Sequence, residues 1–212
     1  MINILIIDDH PVVRRGIIQF LRDDPERRFG SIEEAGNGGE MIDKLISSDF
    51  DIILLDNSMP GRSGLELIQD IKNLKPDLPV LMLSIYPEEQ YAIRAMKMGA
   101  SGYLNKGCSP EELISAIVKI TRGGRYISLS LADKLAHHIL SESNKPLHET
   151  LSVRELQVLL HLASGKKVID ISRELSLSPK TISTYRTRIL SKLNLRSTSD
   201  IIRYAFKEGL SD

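Results

Sequence analysis

The chain has 212 residues, 42% of them hydrophobic, with 28 Lys and Arg, 28 Asp and Glu, and a single cysteine, Cys108. At roughly 100 to 200 residues per domain this length suits two modest domains, and the apolar share excludes a wholly disordered chain. One cysteine excludes an internal disulfide framework or a cysteine metal cluster. The net charge of zero hides an asymmetry: residues 1–120 carry 13 basic and 19 acidic side chains, residues 121–212 carry 15 and 9. The basic half is therefore the place to look for phosphate-backbone contact. No apolar run approaches the roughly 20 residues of a membrane span. The opening MINILIIDDH lacks a basic n-region and is broken by acids, so no signal peptide is expected there. These features predict a soluble, cytoplasmic protein with no membrane partner.

In chain order, residues 2–7 form a short run rich in β-branched side chains, repeated at 52–55 and 80–83 and more weakly at about 31–35 and 101–105. Between and after them, helical periodicity covers 12–22, 38–48, 65–74, 88–98 and 110–121. Continuous apolar strands alternating with helices imply a parallel sheet covered on both faces, here a doubly wound five-stranded α/β domain over 1–121. A Gly-Gly pair at 123–124, a helix near 130–141 and the polar run SESNKPLHET predict a linker over 122–147. The remainder, 148–212, reads as all-α. Ser152 and Glu155 make a capping box that opens a helix ending at Gly165, followed by helices at about 168–175, 179–193 and 198–208. Pro179 stands in the first turn of the third.

Chemistry concentrates at the strand ends. Asp8 and Asp9 follow the first strand and Asp56 the third, and a 2-1-3-4-5 strand order would bring them together where the order reverses. Three converging carboxylates call for a bound cation or a raised pKa, and an oxygen ligand set favours Mg²⁺. Ser84 after strand 4 and Lys106 after strand 5 point to the same edge. A hydroxyl and an ammonium there suit a transferring phosphoryl group, and Asp56 is the carboxylate able to take it covalently. Taken singly, each of these could be a solvated loop residue, as His10 most simply is.

Asp8-Asp9, Asp56 with Met59-Pro60-Gly61, Ser84, and Gly102-Tyr103-Leu104-Asn105-Lys106 resemble the receiver domain of bacterial two-component response regulators over about residues 1–120. The resemblance implies a flavodoxin-like receiver in which Asp56 accepts phosphate from a sensor histidine kinase. Asp9, Asp56 and the Ser58 carbonyl would hold Mg²⁺, assisted by Asp8. Lys106 would contact the phosphoryl group, and Ser84 and Tyr103 would act as the switch pair, Tyr103 turning inward once Ser84 is drawn toward the phosphate. Asn57 departs from the apolar residue common after the acceptor.

In the basic half, Ser176-Leu177-Ser178 is the short turn of a helix-turn-helix. A helical wheel of 179–193 puts Ile182, Tyr185, Ile189 and Leu193 inward and Lys180, Thr184, Thr187 and Ser191 outward, with Ser183 and Arg188 at the margin. Five cations and no acid lie between Lys180 and Arg196. Lys180, Arg188, Lys192 and Arg196 are expected to grip phosphates, and Ser183, Thr184 and Thr187 to face bases in a major groove. The stretch from Leu151 to Ser197 is similar to the LuxR-type DNA-binding domain, and the whole chain to the NarL/FixJ class of regulators. That likeness implies promoter DNA as partner, a homodimer when phosphorylated, RNA polymerase as a candidate partner, and a dimer contact on Ile201, Ile202 and Ala205. Packing within its own domain explains those three residues equally well. Arg186 departs from the usual apolar residue.

Two other readings stay open at this point. A haloacid-dehalogenase-like phosphatase would also use an aspartyl nucleophile with Mg²⁺, but needs a second acid two residues on, where this chain has Ser58. A phosphate-independent DNA-binding protein would carry the same pocket as a vestige. The preferred expectation is a regulator and not an enzyme.

Overall fold

The computed structural model describes residues 1–59, 62–86, 88–128 and 146–210. They belong to two compact units, Met1–His137 and His138–Asp212. The linker helix expected near 130–141 and the Pro60-Gly61 pair lie outside the described residues.

The first unit runs β1 (Ile2–Ile7), α1 (Pro11–Arg22), β2 (Phe29–Ala35), α2 (Gly38–Ser47), β3 (Ile52–Asp56), α3 (Gly64–Leu74), β4 (Val80–Ser84), α4 (Glu88–Lys97), β5 (Gly102–Asn105), α5 (Pro110–Thr121). All strand pairs are parallel and the order is β2-β1-β3-β4-β5. Every residue of β3 and β4 is buried, as strands covered on both faces must be. Ile4, Ile6, Ile52, Leu54, Leu81 and Leu83 join α1 and α5 in one core layer, with Ile17, Leu21, Leu113 and Ile117. The alternate residues Leu5, Ile7, Ile53, Leu55 and Met82 are equally buried and point to the opposite face. The helices start where the sequence supplies caps: Asn37, Ser63 and Ser109 each accept from a backbone N–H of the first turn.

Register decides where the chemistry goes. Ile7 pairs with Leu55, Asp56 with Leu83, and Ser84 with Asn105, so the residues at or just after these strand ends share one edge of the sheet.

The second unit is helical among its described residues. A 3₁₀ turn at Leu147–Thr150 precedes α6 (Val153–Ala163), α7 (Val168–Glu174), α8 (Pro179–Lys192) and α9 (Thr198–Lys207). Its core gathers Leu151, Val158, Leu159, Leu162, Ile171, Ile182, Ile189, Ile201 and Ala205. Helix ends here close in the same way: Gly165, Ser176, Asn194 and Gly209 take positive φ, and the next residue donates back five positions, as Leu177 does to the Ser172 carbonyl at 2.9 Å. Two of the four are not glycine. Ser176 at φ 52° thus makes the tight turn between α7 and α8.

Candidate functional site

Asp8, Asp56 and Ser84 are buried at the carboxyl edge of the sheet, at 2%, 1% and 0% exposure. Lys106 lies across them, its Nζ 2.7 Å from Asp8 Oδ2 and 2.9 Å from Asp56 Oδ1. Burial pushes the Asp56 carboxyl up and the Asp8 charge adds to that, while Lys106 opposes. For Lys106, burial acts to lower the ammonium, and the two carboxylates more than offset it, leaving it above the ordinary lysine range. Asp9 is half-buried, and His10 Nδ1 stands 2.9 Å from its Oδ1 and 3.2 Å from Asp8 Oδ1. Ligand atoms of Asp8, Asp9, His10 and Asp56 fall within 4.8 Å of one another, an acidic cluster able to hold a metal ion. Asp56 and the Ser58 hydroxyl are buried yet make no well-aligned side-chain hydrogen bond, which is the state expected of oxygens kept for a ligand.

The end of β3 is fixed by contact with the next helix. Gly64, first in α3, donates to the Asn57 carbonyl at 3.0 Å, and a Cβ at position 64 would lie 2.1 Å from the Asp56 carbonyl oxygen. Only glycine allows that approach.

In the second unit α8 presents Lys180, Ser183, Thr184, Thr187 and Arg188 to solvent, with Arg196 exposed beyond its end. Three hydroxyls bond back to their own helix: Ser183 to the Pro179 carbonyl at 2.9 Å, Thr184 to Lys180 at 3.0 Å, Thr187 to Ser183 at 3.1 Å. Their hydrogens are thereby engaged and their lone pairs face outward. Lys180, Arg188 and Arg196 have no ion-pair partner among the described residues.

The sequence profile of the response regulator receiver domain matches residues 4–118, and that of the bacterial regulatory proteins of the luxR family matches residues 149–205. The chain is a NarL/FixJ-class response regulator. It is 38% identical over 211 residues to the response regulator UvrY of Escherichia coli K12, spanning 99% of this chain and 96% of that one. It is 35% identical over 213 residues to the response regulator GacA of Pseudomonas aeruginosa, spanning 100% and 99%. Among solved structures it resembles RcsB from Salmonella enterica serovar Typhimurium bound to promoter rprA with the phosphomimetic BeF₃⁻. That likeness has 26% identity, covers 96% of this chain and 98% of that one, and has a TM-score of 0.63. The regulator is thus a transcription regulator in which a receiver is joined to a LuxR-type DNA-binding domain.

Several of its residues sit differently from expectation. Tyr103 is already inward: it is buried, its hydroxyl donates to the Tyr86 carbonyl at 3.1 Å, and burial raises its phenol well above the ordinary value. The Ser84 hydroxyl accepts from Tyr86 N at 3.0 Å. Lys192, expected on phosphate, places Nζ 2.6 Å from Glu155, whose side chain is 3% exposed and which closes the capping box of α6. Ile201 and Ala205 are wholly buried in their own domain's core, because α9 turns that side onto α6; Ile202 alone of that trio is exposed. Arg186 spends its guanidinium on Thr198 Oγ1 at 2.7 Å, tying α8 to the start of α9.

Arg14 was missed by the sequence reading. It donates to the Asp8 carbonyl at 2.6 Å and pairs with Glu34 at 2.8 Å, anchoring the acidic loop to β2. A cation one turn into the helix after a DD pair was the available signal. Phe206 was missed as well: it is 71% exposed, one turn beyond Ile202 on α9.

Proposed function

We propose that this regulator takes a phosphoryl group from a sensor histidine kinase onto Asp56 and, so modified, binds promoter DNA as a homodimer in the cytoplasm. The observation that carries the reading is a buried carboxylate with no well-aligned hydrogen bond, held 2.9 Å from the Lys106 ammonium. An Asp56 oxygen attacks phosphorus, a P–O bond forms, the P–N bond to the donor imidazole breaks, and the leaving imidazole takes a proton from solvent. Lys106 meets charge on the entering oxygens. Asp8, Asp9 and Asp56, with the Ser58 carbonyl, are the residues to hold Mg²⁺, which when bound neutralises charge between carboxylate and phosphoryl oxygens. The oxygen-rich cluster of Asp8, Asp9 and Asp56 fits such an ion.

On DNA, α8 enters the major groove with Ser183, Thr184 and Thr187 toward the bases and Lys180, Arg188 and Arg196 on phosphates. The promoter complex of RcsB supports this placement by likeness. The exposed pair Ile202 and Phe206 offers the apolar contact for a second copy, in place of Ile201 and Ala205. RNA polymerase is the further partner a promoter-bound regulator would meet.

Acetyl phosphate with Mg²⁺ tests the acceptor: wild type should be labelled stoichiometrically and Asp56→Asn not at all. Residual stoichiometric label on Asp56→Asn would move the acceptor elsewhere.

A further inference from the structure

After α5 the chain does not leave the receiver directly. It reverses through Gly123, at φ +84°, and Gly124, and then runs beside β5. Tyr126 N donates to the Ser101 carbonyl at 3.0 Å and Tyr103 N donates to the Tyr126 carbonyl at 3.1 Å, a parallel bridge that brackets Gly102. Gly102 is what admits the bridge, since a Cβ there would lie 2.8 Å from the Tyr126 oxygen. The Tyr126 ring lies beneath the Lys119 ammonium, 5.7 Å from centroid to Nζ, and its hydroxyl donates to Glu112 at 3.3 Å. Two residues on, Ser128 N donates to Glu88 Oε1 at 3.1 Å.

Both anchors belong to the switch. One is the backbone of Tyr103 itself; the other is the first residue of α4, two positions after the Tyr86 that holds the Ser84 hydroxyl and the Tyr103 phenol. We propose that residues 123–128 are a strap that reads the state of Ser84 and passes it into the linker, a role that rests on the assignment of Asp56 and Ser84 above. When the Ser84 side chain turns to donate to a phosphoryl oxygen, its oxygen moves away from Tyr86 N, Tyr86 and the start of α4 shift, and Glu88 lets go of Ser128. The two joints differ in strength. Tyr126 is held through backbone hydrogen bonds on both sides of Gly102 and packs on the receiver core, whereas the Ser128 contact with Glu88 joins backbone to a partly exposed side chain at the rim. The rim joint opens first and the Tyr126 bridge remains as a pivot.

Amide hydrogen exchange on the full chain, with and without Mg²⁺ and beryllofluoride, tests this, with fluorine NMR recording whether beryllofluoride is bound. The expected result is exchange at Ser128 faster by about threefold or more on binding, as loss of one charge-assisted hydrogen bond at the rim would give, with Tyr126 still protected. Glu88→Ala, at a partly exposed site, should exchange Ser128 in the untreated protein as fast as activated wild type. The same variant should narrow the ratio of DNA affinities with and without beryllofluoride by about threefold. Bound beryllofluoride with unchanged Ser128 exchange overturns the strap and leaves the pocket standing, and an unchanged affinity ratio in Glu88→Ala overturns its role in transmission. Failure of wild type to bind beryllofluoride overturns the pocket assignment and with it the switch that would drive the strap.

Discussion

Lys192 shows how a surface cation can belong to the fold. Burial acts to raise the Glu155 carboxyl, but Lys192 and the Ser152 contacts outweigh it and hold the group below its ordinary range. Lys192→Ala therefore leaves a buried carboxylate half-paired, and the second unit should lose about 1 to 3 kcal/mol in denaturant unfolding without DNA. Arg188→Ala should keep that stability and weaken specific and scrambled DNA alike, with a salt slope smaller by about one unit. Equal unfolding midpoints for the two variants would remove Lys192 from its structural role. Asp24 gives the pH counterpart in the receiver. Arg28 holds the Asp24 carboxyl down at about 2, so the pair's stabilisation is in place above the ordinary carboxylate range and is lost as pH falls through about 2. Urea midpoints between pH 5 and 2 should fall less steeply in Asp24→Asn. The pocket residues were legible because each stands at a strand end in a known spacing. Lys192 was not, because a helical wheel places a side chain on a rim without showing that a buried Glu155 lies 37 positions away in sequence.

Among the elements, α3 does more than cover the sheet, because its first residue touches the acceptor strand. In Gly64→Ala the added methyl meets the Asp56 carbonyl at 2.1 Å and Asn57 Cα at 2.8 Å, so the β3–α3 connection must shift. Such a collision with backbone is expected to destabilise the receiver by about 1 to 3 kcal/mol and to weaken beryllofluoride binding more than tenfold. A variant that binds it normally would show that the close approach is not needed. Among the described residues the strands and helices follow their sequence signals to within a residue or two, since strong apolar runs and Ser, Asn and Pro caps mark their bounds. β2 was weaker in sequence because it is an edge strand, FGSIEEA, buried mainly at its two ends. The bridge at Tyr126 was invisible: one residue paired to β5 has no periodicity to detect. The turn before α8 was read correctly from Ser-Leu-Ser, although nothing in those letters foretold that Ser176 would take a left-handed backbone.

At the scale of the molecule, the zero net charge is the sum of an acidic receiver and a basic DNA-binding half, and on the proposed function each half should answer to a different ion. Added salt should weaken DNA binding through the second unit, since the phosphate contacts it would make release counterions. Divalent cations, held by the acidic cluster as proposed, would act on the first. Asp8, Asp9 and Asp56 face a single ammonium, so without a cation the fold confines unbalanced like charge at the end of its central strands. Binding of an ion to the folded receiver alone raises its stability by about 1.4 kcal/mol for each tenfold excess over Kd. Calorimetry of the whole chain should accordingly show the receiver transition move up with Mg²⁺ and down with EDTA, while the helical unit melts at one temperature throughout. Parallel movement of both transitions would place the ion elsewhere. With the ion held there as proposed, a chelator would become a denaturant with an address, loosening the half that listens and leaving intact the half that reads DNA.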